Sequence, residues 1–98
     1  MIINQIKNGD ALTVSISGSL DSATSGELME FMEQNFTSDI HKLTLDFAEV
    51  DFISSKGLRV LVSVYKSLNG RKMSVINTNT SVKEVFRLSS LLTVFNIQ

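Results

Sequence analysis

Two adjacent serines, Ser54 and Ser55, stand where the hydrophobic period changes from that of a strand to that of a helix. Apolar and polar residues alternate up to Phe47, and apolar residues then recur at helical spacing from Leu58 to Tyr65. A serine at such a position can cap the first helical turn through its hydroxyl oxygen. The hydroxyl can also carry a phosphate, because the free amides and positive dipole end of a helix favour negative charge. The residues alone leave both roles open.

Strands with a period of two precede and follow this pair. The second strand alternates cleanly between apolar and polar residues, which indicates one buried face. We expect Leu45 to point into the core from a central strand and Leu61 to meet it from the following helix. An Asn8-Gly9 turn joins the first two strands. Strands are predicted at residues 2–7, 11–18, 42–48 and 72–77, with a possible edge strand at 93–97.

Three helices are predicted between and after these strands. Capping-box patterns at Thr24-Ser25-Gly26-Glu27 and Ser81-Val82-Lys83-Glu84 open the first and third helices. The first ends near Asn35 and the third near Leu88, while the second begins at the paired serines and ends at Asn69-Gly70. The order predicts an α/β fold with a mixed sheet of four to five strands and helices mainly on one face. The exposed side of the second helix should carry Arg59, Ser63 and Lys66.

Composition predicts one globular domain over residues 1–98, because 43% of the residues are hydrophobic and only 19% are charged. Nine Lys and Arg against ten Asp and Glu give a net charge of -1, which provides no field to attract nucleic acid. No apolar run approaches the roughly 20 residues of a membrane span. There is no cysteine, so disulfides and thiol chemistry are excluded. We expect a cytoplasmic protein with no membrane insertion.

Other residues that could perform chemistry lack the companions they need. His41 is the only histidine, so it cannot complete a recognisable zinc set or a nucleophile–base–orienter triad, which argues against a serine hydrolase. The five glycines form neither a dinucleotide fingerprint nor a Walker A loop. We therefore expect no cofactor and no metal. Methionines 29, 32 and 73 are interpreted as core residues.

The segment from Leu43 to Leu61, with the earlier Gly18-Ser19-Leu20-Asp21, resembles the STAS family. Gly57 and Leu58 match the Gly-Leu of the family's loop, and Ser55 falls on the serine that a kinase phosphorylates in the anti-sigma-factor antagonists. The resemblance spans nearly the whole chain. It implies the STAS fold and a regulatory role in which the protein is a kinase substrate and not an enzyme.

Two departures from the family pattern flank the serine. Ser54 stands where the family has an acidic residue, and Lys56 replaces a hydroxyl residue. The resemblance implies that the unphosphorylated protein, expected as a monomer, binds a cognate anti-sigma factor serine kinase and that phosphorylation of Ser55 breaks the complex. Ser54 is the second candidate acceptor. The departures favour an alternative, a non-phosphorylated STAS subunit that serves a transporter ATPase or a signalling assembly. The implied partner-binding residues are Asp21, Ser54, Ser55, Lys56, Gly57 and Arg59.

Two carboxylates also have structural alternatives. Asp21 lies in the Gly-x-Leu-Asp turn, where the resemblance implies partner binding, but it could equally cap the amides of Ala23 or Thr24. Asp51 follows the third strand, and we expect its carboxylate to brace the serine loop by accepting backbone amides.

Overall fold

The computed structural model describes residues 1–98, which form a four-stranded mixed sheet and three helices. The sheet order is β1-β2-β3-β4; β2 runs antiparallel to β1 and parallel to β3, and β3 runs parallel to β4. The predicted α/β architecture is confirmed. In chain order the elements are β1 (Ile2–Asn8), β2 (Ala11–Leu20), α1 (Ser25–Asn35), β3 (Lys42–Ile53), α2 (Ser55–Ser67), β4 (Lys72–Ile76) and α3 (Thr80–Leu88).

One face of the sheet carries the core, because the buried side chains of β2, β3 and β4 alternate with half-exposed ones. Leu45 of β3 and Leu61 of α2 are both buried in this core, as predicted. Of the methionines, Met32 and Met73 are buried and Met29 is half-buried. The buried side chains of the sheet are Leu12, Val14, Ile16, Leu20, Leu43, Leu45, Phe47, Val50, Ile53, Met73 and Val75.

β3 is five residues longer than predicted, so Asp51 and Phe52 belong to the strand and not to the following loop. The β2–β3 ladder contains register shifts between Ser15 and Ser17 and between Gly18 and Ser19. Such bulges interrupt the alternation while the two strands remain paired. The strands consequently continue together to the end of β3.

The predicted edge strand at 93–97 is wrong. The segment makes a single parallel bridge, between Val75 and Ile97. Its backbone forms local turn hydrogen bonds instead: the amide of Phe95 donates to the carbonyl of Leu91 at 3.0 Å. Asn96 has a φ of 51°, which extended strands do not adopt.

Both predicted capping boxes are wrong. Thr24 is the N-cap residue of α1, but its hydroxyl donates to the carbonyl of Ser19 at 2.6 Å and makes no cap bond. The helix α3 starts two residues earlier than predicted, because Asn79, and not Ser81, caps it by accepting the amide of Val82 at 2.8 Å. The Glu84 carboxylate, predicted to reach back to Ser81, pairs with Arg87 instead.

Ser25 supplies a stability prediction, because it is fully buried at the start of α1 and its hydroxyl has no hydrogen-bond partner. An unpaired buried polar group costs about 1 to 3 kcal/mol. We expect Ser25→Ala to raise the free energy of unfolding by roughly this amount, measured by urea denaturation. Ser63→Ala, at an exposed position of α2, is the control for helix propensity and should gain at most about 0.5 kcal/mol. A destabilised Ser25→Ala variant would contradict the prediction.

Candidate functional site

The loop between β3 and α2 is held against the end of β2 by one carbonyl group, that of Leu20. The backbone amide of Ser54 donates to this oxygen at 2.9 Å. Gly57, in the first turn of α2, lies so near that an added Cβ would be 2.5 Å from the same oxygen. Only a glycine permits this approach. Because Asp21 directly follows Leu20, the contact places the Asp21 turn next to the serine loop.

The two serines have different positions at the start of α2. Ser54 has an extended backbone, with φ -92° and ψ 171°, and its Oγ accepts the amide of Gly57 at 3.1 Å. It is therefore the N-cap. Ser55 is the first helical residue, its side chain is exposed, and its hydroxyl has no hydrogen-bond partner in the protein. The structural role predicted for the pair falls on Ser54 alone.

Asp21 organises the turn that leads into α1. Its Oδ1 accepts the amides of Ala23 at 2.9 Å and Thr24 at 3.1 Å, which confirms the predicted turn role. The Thr24 amide first, and the Ala23 amide second, lower the pKa of the Asp21 carboxyl, because both bonds favour the charged form. The side chain is half-buried, so part of it remains open to solvent. Its contact with a partner stays a prediction.

Asp51 braces the site differently from the expectation. Its Oδ1 accepts the hydroxyl of Ser19 at 2.9 Å, across the β2–β3 ladder, and no amide of the serine loop bonds to it. The reason is that Asp51 lies within β3, where its side chain projects from the sheet beside β2. The bond ties together the two strand ends that carry the turn and the loop.

The remaining residues of the predicted partner surface lie on α2. Lys56 and Arg59 are exposed, whereas Gly57 is buried beneath the loop and offers a partner no side chain. Gly57 therefore contributes to this surface only by letting α2 pack closely against Leu20. The helix has no acidic residue in its first turn and none elsewhere, so its only charged side chains, Lys56, Arg59 and Lys66, are all cationic and exposed. All three predicted exposed residues, Arg59, Ser63 and Lys66, are exposed.

Phe52 is a surface residue that the sequence reasoning did not assign to the site. Phe52 is 54% exposed, and the buried Ile53 separates it from Ser54. It lines a small cavity of about 210 Å³ between the end of β3 and α3, together with Val82 and Val85. The signal in the sequence was a large aromatic residue two positions before the serine pair.

The structure contains no group of three or more His, Cys, Asp or Glu side chains that could hold a metal ion. His41 is exposed, with its Nδ1 3.4 Å from Oδ2 of Asp10. None of the three helices is long and apolar enough to cross a membrane.

The model of the STAS domain family matches residues 3–98, so the chain belongs to the STAS domain family. The anti-sigma-B factor antagonist of Listeria monocytogenes is 25% identical over 97 residues, which cover 94% of this chain and 85% of that protein.

Solved structures share the fold. The crystal structure of an anti-sigma factor antagonist from Mycobacterium paratuberculosis superposes with a TM-score of 0.88 at 22% identity, covering 98% of this chain and 83% of the other. The phosphorylated form of the Bacillus cell fate determinant SpoIIAA superposes with a TM-score of 0.76 at 14% identity, covering 99% and 89%.

The different positions of Ser54 and Ser55 predict different costs of substitution. Ser54→Ala removes the cap bond to Gly57 and should lower the free energy of unfolding by about 0.5 to 2 kcal/mol. Ser55→Ala is the matched control, since it removes an exposed hydroxyl without a partner and should change stability by less than about 0.5 kcal/mol. Thermal and urea denaturation of both variants measure the difference. Equal losses, or a larger loss at Ser55, would contradict the cap assignment.

Proposed function

We propose that this protein is an anti-sigma-factor antagonist, a cytoplasmic regulatory protein without enzymatic activity. In this proposal it consists of one STAS domain that binds a cognate serine kinase acting as an anti-sigma factor. Phosphorylation of Ser55 releases the kinase. The single observation that carries the proposal is the exposed Ser55 hydroxyl, which has no bond within the protein, at the start of α2. The family membership and the named relative support it.

The position of Ser55 suits a phosphate without a change of fold. The helix start carries the positive end of the dipole, and no acidic residue in the first turn opposes it. Lys56 is the next residue and adds a cation. The cap bond uses Ser54, so phosphorylation of Ser55 leaves the bond from Gly57 intact. The fold should therefore tolerate the modification.

The same phosphate would disturb a docked partner. It adds about -1.5 to -2 charges at neutral pH to a surface on which the charged residues of α2 are all cationic. A partner that contacts Lys56, Arg59 and a small hydroxyl would meet a bulky, strongly hydrated anion instead. Release follows from the changed surface charge and the cost of removing water from the phosphate.

Lys56 also supports a second candidate function, that of a non-phosphorylated STAS subunit in a transporter ATPase or signalling assembly. A kinase that reads acidic and hydroxyl neighbours of the serine would find Ser54 and Lys56 there instead. In that case the surface around Ser55 would hold the protein permanently in the assembly.

A labelling experiment distinguishes the two functions. Incubated with its cognate kinase and Mg-ATP, the protein should gain one phosphate, which peptide mapping places on Ser55. Ser55→Ala should remove the label and Ser54→Ala should retain it. Label on Ser54 alone would contradict the acceptor assignment, and tight binding without any label would favour the permanent subunit.

Charge at Ser55 can be tested separately from the size of the side chain. Ser55→Asp should weaken kinase binding at least tenfold, or about 1.4 kcal/mol, because it places a carboxylate in the contact. Asparagine has nearly the same shape as aspartate but no charge. Ser55→Asn and Ser55→Ala should therefore bind the kinase with an affinity within about threefold of the parent's. Titration calorimetry measures the affinities, and circular dichroism verifies that each variant is folded. Parent-like binding by Ser55→Asp would show that charge at this residue is not the signal.

A further inference from the structure

β1 is an open edge of the sheet. It pairs only with β2, and it exposes 64% of Ile2 and 69% of Ile6 to solvent. The opposite edge, β4, is partly covered because Val75 bonds to Asn96 and Gln98 of the C-terminal segment. An exposed edge strand with apolar side chains is a template for pairing with another strand.

The turn after β1 determines which backbone groups face outward. Asn8 and Ala11 flank the two-residue turn Gly9-Asp10, in which Gly9 has a φ of 64°. Residues that flank such a turn exchange hydrogen bonds, and bonded pairs then alternate along the ladder. The β1–β2 register has no shift, so the even-numbered residues of β1 bond to β2. The outward-facing backbone groups are those of Ile3, Gln5 and Lys7.

We propose that β1 pairs antiparallel with β1 of a second copy of the chain, around a two-fold axis at Asn4. In this register Ile3 of each copy lies opposite Gln5 of the other, and both residues present free amides and carbonyls. The pair therefore forms the hydrogen bonds of a regular antiparallel ladder. The interface is isologous, and it joins two four-stranded sheets into one of eight strands.

The side chains fit the same register. Ile2 of one copy lies opposite Ile6 of the other, and this contact occurs twice. Both isoleucines pair with polar residues of β2, Ser17 and Thr13, which places them on the sheet face opposite the core. They occupy non-hydrogen-bonded positions, where facing side chains are closest.

Charge opposes this pairing only at its two ends. The only charged side chain of β1 is that of Lys7, which lies near the end of the strand and is bound to Asp39 at 2.6 Å. The register places Lys7 opposite Met1, whose terminal ammonium has the same sign, and the Asp39 carboxylate offsets part of this repulsion. Seven residues a side are fewer than the roughly 20 to 30 of a standard interface, so we expect a dimer that forms as concentration rises.

Sedimentation equilibrium of the full chain tests the proposal. The mass should rise from the monomer value of 10.8 kDa toward twice that value as concentration increases. Hydrogen exchange followed by NMR should show amide protection of Ile3 and Gln5 that increases with concentration. The amides of Asn4 and Ile6 already bond to β2, so their protection should change little. A chain that stays monomeric at millimolar concentration would overturn the proposal.

Gln5→Pro removes an interface donor while sparing the ladder with β2, since the Gln5 amide faces outward and proline is tolerated on edge strands. Gln5→Ala is the matched control: both variants lose the side-chain bond to Asn35, but alanine keeps the amide. We expect at least tenfold weaker dimerisation for Gln5→Pro and parent-like dimerisation for Gln5→Ala. Ile6→Lys, which alters an exposed side chain only, should also weaken the dimer at least tenfold. A dimer that persists in folded Gln5→Pro or Ile6→Lys would overturn the proposal.

Discussion

The carbonyl oxygen of Leu20 is the group on which the geometry of the candidate site depends. It accepts the Ser54 amide, and α2 approaches it so closely that position 57 has room only for hydrogen. A larger residue there would push α2 away from β2 or break the Ser54 bond. The serine loop would then lose its fixed place beside the Asp21 turn. The Gly-Leu part of the loop motif thus has a packing cause that is independent of any partner.

Alternating hydrophobicity identified the strands because burial of one sheet face imposes a period of two on the sequence. The predicted ends of β2 and β4 lie within two residues of the observed ends. β3 was predicted too short because the bulges in its ladder with β2 interrupt the alternation of apolar and polar residues. The sequence of β3 alone does not show that the strand continues beyond them. The C-terminal segment has the apolar residues of a strand, but its backbone bonds to itself in turns.

Helix starts were harder to predict, because one hydroxyl can serve several partners. The spacing of Thr24 and Glu27 is that of a capping box, yet the turn brings Ser19 and Asp21 within reach of the Thr24 side chain. The same limit applies to the serine pair. Sequence placed both serines at the helix start, but the distant Leu20 carbonyl fixes the backbone at Ser54 and so makes that residue the cap. The local sequence pattern therefore cannot tell which of the two serines is the N-cap.

The separation of the two serines connects the fold to the proposed switch. α1 and α2 lie side by side along one cavity; α1 carries three carboxylates and no cation, and α2 carries three cations and no carboxylate. A phosphate on Ser55 would place negative charge at the N-terminal end of α2, next to the Asp21 turn. The charge difference between the acidic α1 and the basic α2 would be smaller at that end. Because Ser54 holds the cap bond, the charge pattern can change while the backbone beneath it stays in place. A partner could therefore distinguish the two states by surface charge alone.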